Sequence, residues 1–227
     1  MRSAFFGNLD AGQQLPGHFA LQNPRMLRVH LNGEVVARQG SMVAFQGQMD
    51  FEYQGAGGIG KFMKKVLTGE GAPLMRARGQ GLLFLAHNAE DIHLFYLENE
   101  AITVNGANIL AYDSHLQTDI RKVEGAGMMA GGLFNTTIAG TGWVALHTHG
   151  TPVMLDAGRA PTFADAQSAV AWSSTLQIGV NRTIKAAALI GRGSGEAVQL
   201  AFQPTQGSSN FVLVQASEGP TVPPHTH

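Results

Sequence analysis

Cysteine is absent from the 227-residue sequence, so no disulfide framework, thiolate metal site or cysteine nucleophile is available. Charge is scarce as well. Asp, Glu, Lys and Arg make up 14% of the chain, against roughly 25% in an average soluble domain. The 15 basic and 16 acidic residues nearly cancel, for a net charge of −1. No excess of Lys and Arg is there to neutralise phosphates, so duplex nucleic acid is not an expected partner. Long apolar runs are missing too: no uncharged stretch approaches the roughly 18 residues of a membrane helix. The N-terminal Met1-Arg2-Ser3-Ala4-Phe5-Phe6-Gly7-Asn8-Leu9-Asp10 lacks the apolar core of a secretory signal. A cytoplasmic location is expected, which leaves the Asn181-Arg182-Thr183 sequon without a route to glycosylation.

What the chain does have is 44% hydrophobic residues, 29 Gly and 9 Pro. That is too apolar for disorder, and Gly does not recur at every third position as in collagen. Apolar residues alternate with period two, the pattern of half-buried strands. Leu27, Val29 and Leu31 fall on one face with Arg28 and His30 on the other, and the alternation returns in Ala101-Ile102-Thr103-Val104-Asn105 and Trp143-Val144-Ala145-Leu146-His147. Asn32-Gly33, Asn105-Gly106, Ala157-Gly158 and Gly207-Ser208 read as turns between strands. The pattern predicts an all-β sandwich or barrel. One or two short helices are expected beside it. Ile59, Phe62, Met63 and Val66 give helical spacing over residues 59–68, stopped by Gly69, and an Ala-rich turn runs from Ile184 to Ile190.

A repeat organises these strands. Ala44-Phe45-Gln46-Gly47-Gln48-Met49 aligns with Ala111-Tyr112-Asp113-Ser114-His115-Leu116 and with Ala171-Trp172-Ser173-Ser174-Thr175-Leu176. Upstream, Leu31-Asn32-Gly33-Glu34-Val35-Val36 answers Leu97-Glu98-Asn99-Glu100-Ala101-Ile102, and Gly79-Gln80-Gly81-Leu82 answers Gly140-Thr141-Gly142-Trp143. Three ordered blocks at near-constant spacing indicate three internal repeats, over about 15–72, 73–130 and 131–216, with a short tail at 217–227. A lone repeat would leave open sheet edges, so the expected body is one domain with three repeats packed around a pseudo-threefold axis, of the double-stranded β-helix or β-sandwich type.

Gly57-Gly58-Ile59-Gly60-Lys61-Phe62-Met63-Lys64-Lys65, Thr68-Gly69-Glu70-Gly71, Gly79-Gln80-Gly81, Gly131-Gly132-Leu133-Phe134 and Gly140-Thr141-Gly142 carry a family resemblance over residues 25–216. In these blocks and their order the chain resembles the altered-inheritance-of-mitochondria family, member twenty-four. The resemblance implies a TRAP-like β fold, related to the tryptophan RNA-binding attenuation protein, with three structural repeats. It implies an association with mitochondrial biogenesis and no catalytic residues to carry over.

Several motifs have residue types that could carry chemistry. Gly55-Ala56-Gly57-Gly58-Ile59-Gly60-Lys61-Phe62 matches the phosphate-loop spacing, but Phe62 stands where Ser or Thr must hold Mg²⁺, and no βαβ unit surrounds it. It reads as a glycine-rich connection, with Gly60, Lys61, Lys64 and Lys65 as candidate anion or lipid contacts at a helix start. His147-Thr148-His149 is the metal candidate, because residues i and i+2 of a strand share a face. No Glu follows it at a cupin-like distance, and Asp156 is the first carboxylate downstream, so a surface or interface pair is the simpler reading. His87, His93 and His115 offer a three-histidine alternative, and the tail repeats the spacing at His225 and His227. Gly140-Thr141-Gly142 reads as a hairpin turn before a ligand loop, and Glu98, Glu100, Asp113 and Asp119 as solvated strand ends. The repeats share no basic position for RNA.

The chain is therefore expected to be a non-enzymatic β scaffold or interaction protein without a cofactor, which self-associates or binds a protein partner. A small-ligand or metal-binding β barrel, and a peripheral membrane protein using the 59–68 helix, are the alternatives.

Overall fold

Period-two runs become strands, and fourteen strands follow one another in the computed structural model, which describes residues 18–53, 73–122, 134–181, 199–205 and 210–216. They are β1 (Phe19–Asn23), β2 (Met26–Arg38), β3 (Met42–Tyr53), β4 (Leu74–Leu85), β5 (Asp91–Asn105), β6 (Ile109–Asp113) and β7 (Gln117–Lys122). Then come β8 (Phe134–Thr148), β9 (Val153–Asp156), β10 (Thr162–Asp165), β11 (Ala169–Ser173), β12 (Gln177–Asn181), β13 (Gln199–Gln203) and β14 (Phe211–Val214). Among the described residues the helical content is one 3₁₀ turn, Gly106–Asn108. The expected helices at 59–68 and 184–190, the contacts Gly60, Lys61, Lys64 and Lys65, the Gly207-Ser208 turn, and the tail with His225 and His227 lie outside the described residues.

The fold is all-β and antiparallel. One sheet of 11 strands runs β3-β4-β2-β6-β8-β5-β11-β14-β9, with β1 added to β2 and β7 to β8; a second sheet of three strands runs β10-β13-β12. Strand pairing draws together residues 26–85, 91–148 and 153–214, because β4 bonds to β2 and β3 along their length and β8 bonds to β5, β6 and β7. The first two groups end later than the sequence blocks, since β4 and β8, which close them, come after the stretches rich in glycine.

Three apolar clusters fill the interior. Leu27, Val29, Leu83 and Leu85 centre one, Ile102, Tyr112, Ile138 and Leu146 a second, and Trp172, Leu200, Phe202 and Val212 a third. Trp172 meets Phe202 at 5.5 Å between ring centroids, tilted edge to face, and each fully buried large side chain contributes roughly 1.5–3 kcal/mol. Alternation describes only part of this packing. Arg28, expected on the wet face, is buried like its neighbours, and Val144 to Thr148 are all buried because β8 lies inside the sheet with both faces covered.

The glycines act differently from expectation. Asn32-Gly33 is not a turn: β2 runs through it, with Gly33 opposite Gly79. Gly140-Thr141-Gly142 likewise sits inside β8, paired to β5. Gly81 shows why glycine is needed: its φ is +139°, and a Cβ there would overlap the Gln46 carbonyl oxygen of β3. Gly142 leaves the space taken by the Asp113 carboxylate, 2.8 Å from where a Cβ would stand. Asn105-Gly106 starts the 3₁₀ corner from β5 to β6, with the Asn105 side chain accepting from the Ala107 N–H at 3.1 Å.

Candidate metal site

β8 and the turn between β4 and β5 bring four titratable side chains together. His87-Asn88-Ala89-Glu90 is a tight turn closed by the Glu90 N–H donating to the His87 carbonyl at 2.8 Å. Both central residues are left-handed, with φ of +46° at Asn88 and +54° at Ala89. That conformation is unusual for Ala and costs about 1 kcal/mol, a strain that tends to gather at functional sites. The turn sets His87 and Glu90 against the end of β8, where His147 is 4% exposed and Glu90 7%. Nδ1 of His147 lies 2.6 Å from Oε2 of Glu90, and Nε2 of His149 lies 3.6 Å from Oε1 of the same carboxylate. The rings of His87 and His147 are 4.4 Å apart between centroids.

Burial holds the His147 pKa down to about 4, against the upward pull of its hydrogen bond to Glu90. The ring is then neutral near pH 7, and the contact is Nδ1–H donating to a carboxylate, not an ion pair between charged groups. Burial also lowers His87, with the Arg38 charge acting in the same sense. A neutral His147 with its proton on Nδ1 has a bare lone pair on Nε2, and that buried nitrogen has no hydrogen-bond partner among the described residues. A carboxylate on the far nitrogen of a histidine is the arrangement that orients metal-binding imidazoles. His87, Glu90 and His147 each offer one ligand atom, all within 4.8 Å of one another.

The backbone around the cluster is tied down. Asn108 Nδ2 donates to the His147 carbonyl at 2.9 Å and to Gln215 Oε1 at 3.3 Å, and the His149 N–H donates to that same Oε1 at 3.1 Å. Arg38 donates to the Ala107 carbonyl at 2.9 Å.

Of the residues singled out from sequence, His147 is inside the protein and not at a surface, because both faces of β8 are covered. His149 lies just past the strand end and is exposed, yet reaches the same carboxylate. The acid absent downstream is supplied from upstream by Glu90, which sequence spacing could not indicate across 57 residues. Of the alternative trio only His87 joins. His93 bonds Thr148 Oγ1 at 2.8 Å and His115 the Thr141 carbonyl at 2.8 Å. Asp113 is not a solvated strand end but buried, accepting from the Trp143 N–H at 2.7 Å and lying 3.1 Å from His18. Ser173 accepts from the Phe211 N–H at 3.0 Å.

A protein-family model, described as mitochondrial biogenesis AIM24, matches residues 19–216. The chain belongs to this family. A family member of this kind shares its fold with a protein of Streptococcus pyogenes known from an X-ray crystal structure. The two are 22% identical, with a TM-score of 0.67, covering 88% of this chain and 92% of that one. No curated protein matches the sequence. Among the described residues of this family member, no helix is long and apolar enough to cross a membrane.

Proposed function

We propose that this family member is a non-enzymatic β scaffold of three strand units, pinned by a divalent metal ion held between His87 and Nε2 of His147, with Glu90 orienting the His147 ring. The observation that carries the metal reading is the bare Nε2 of His147, buried beside His87 with no partner among the described residues. A buried polar atom left unsatisfied costs about 1–3 kcal/mol, and a metal ion at this position would remove that cost. Two imidazoles, one of them oriented by a carboxylate on its far nitrogen, suit zinc or a similar borderline ion. His149, whose Nε2 lies 3.6 Å from the Glu90 carboxylate, brings a further imidazole to the edge of the cluster.

The sheet order supports the three-unit reading. It runs β3-β4-β2, then β6-β8-β5, then β11-β14-β9, and each group places its middle, last and first strand in that order. The polar groups of these strands serve as ties between them, as with Asp113 to Trp143 and Ser173 to Phe211, which supports a binding body and not a catalyst.

Untagged protein, analysed for metals and titrated with ZnCl₂ by calorimetry at neutral pH, tests the reading. About one ion per chain is expected, with binding lost in His147→Ala and His87→Ala. A thermal midpoint raised by zinc is also expected, since a ligand at a hundred times its Kd adds about 2.7 kcal/mol. No transition metal above trace together with no binding heat would discard the site.

A further inference from the structure

The outer edges of β3 and β10 fit each other in a register that the chain already uses twice. Each aligned Ala-aromatic pair follows a bulge, with register shifts between Met42 and Ala44, Ile109 and Ala111, and Ala169 and Ala171. Tyr112 on β6 then faces Val36 on β2, and Trp172 on β11 faces Thr103 on β5. Both rings are buried, as are the bulge residues Leu110 and Val170. Phe45 occupies the matching place on β3, but β3 ends the large sheet, and Val43 and Phe45 are 52% and 45% exposed.

Register identifies the missing partner of Phe45. Seven residues beyond each aromatic, Glu52 pairs with Arg76, Asp119 with Thr137 and Gly179 with Ala201. On the other side of those three residues stand Val36, Thr103 and Phe163. Val36 and Thr103 are the residues that face Tyr112 and Trp172, so Phe163 is the residue matched to Phe45. β10 ends the small sheet, bonded to β13, and Phe163 is 50% exposed between the buried Thr162 and Ala164. A hollow of about 460 Å³ runs along the same strand past Pro161, Thr162 and Phe163. β3 has neither Lys nor Pro to guard its edge, the usual protection against unwanted pairing.

We propose that β10 of one copy of this chain adds antiparallel to β3 of a second copy, with Phe163 opposite Phe45. The occupant is another copy because it carries the complementary edge in the register of the β2–β6 and β5–β11 junctions. The contact is head to tail, so successive copies form a ring where the rotation closes and a filament where it does not. It rests on the three-unit reading and is independent of the metal site.

The absence of native cysteine makes the test direct. Phe45→Cys and Phe163→Cys variants of the full chain are mixed and oxidised; opposite residues of an antiparallel pair have Cβ atoms about 4.5–5.5 Å apart, within reach of a disulfide after slight adjustment. The mixture is expected to give a covalent dimer on a non-reducing gel, and neither variant alone is. Sedimentation of the unmodified chain at tens of micromolar should show assemblies larger than a monomer, and Phe163→Asp, with unchanged circular dichroism, should return it to monomer. Three results would overturn the proposal: monomer alone with no mixed disulfide; dimers of Phe45→Cys with itself, which mean β3 meets β3; or a Phe45→Cys/Phe163→Cys double variant that oxidises wholly within one chain, which means the body closes on itself. Loss of zinc binding with assembly intact would sink the metal reading alone.

Discussion

Nδ1 of His147 sits 2.6 Å from Oε2 of Glu90, joining the end of β8 to a turn 57 residues earlier in the chain. Glu90→Ala would leave the Nδ1–H buried without an acceptor and is expected to cost about 1–3 kcal/mol of stability. Glu90→Gln keeps an acceptor and removes the carboxylate charge, so it should cost less stability while weakening zinc binding at least tenfold, by roughly the amount that loss of an orienting carboxylate does elsewhere. Urea unfolding and calorimetry on the two variants check both halves.

Gly81→Ala sets a Cβ into the Gln46 carbonyl at a φ of +139°. Backbone atoms cannot swing aside, so a loss of about 3 kcal/mol or more is expected, in the upper tail of single substitutions. Gly40, at φ +80° with nothing within 4 Å of a Cβ, provides the comparison. Gly40→Ala should cost only about 1–2 kcal/mol of left-handed strain. Denaturant midpoints of the two variants distinguish a steric reason for glycine from a conformational one.

The three matched aromatics should respond unequally. Trp172→Ala empties a core site that is 2% exposed and is expected to cost about 3–5 kcal/mol, with Tyr112→Ala nearly as severe. Phe45→Ala, at 45% exposure, should cost under about 1 kcal/mol in dilute protein, as surface changes generally do. Its effect should grow with protein concentration if β3 meets β10 between copies, and thermal melts across a concentration series read this out.

His18 and Asp113 make the fold pH-sensitive. The hydrogen bond that His18 donates to the Asp113 carboxylate raises the His18 pKa above 6.5, burial opposing it. At Asp113 burial pushes upward, but the His18 hydrogen bond and the Trp143 N–H outweigh it and hold the carboxyl below 3.8. A raised histidine pKa stabilises below the unfolded value and loses that contribution as pH climbs through the folded one; a lowered carboxyl behaves in the opposite sense. The pair is therefore most stabilising between 3.8 and 6.5. The stability lost in His18→Gln should be larger at about pH 5.5 than at about pH 8.5, measured by urea unfolding at both.

Much of the fold could be read from sequence because it rests on local patterns. The period-two runs at Leu27 to Leu31 and Ile102 to Val104 became strands with those apolar residues buried, and the Ala-aromatic blocks lie on β3, β6 and β11. The family followed from glycine blocks in a fixed order. Other readings failed for a shared reason. Gly33 and Gly140 look alike as hairpin residues and as bends inside a strand, since both uses exploit positive φ; only the pairing partner tells them apart.

The same holds for burial. His147 and Asp113 have the spacing of strand surface residues, and their seclusion comes from neighbours brought in by β2, β5 and β6 from elsewhere in the chain. Composition and period were enough to make this chain an antiparallel β protein with little charge and glycine at its bends, because strand propensity and alternation act over a few residues. Which histidine lost its water, which carboxylate it found, and which strands came to stand at the ends of the sheets were decided when strands distant in sequence met, because desolvation and register depend on what lies across the sheet and not on what lies next in the chain.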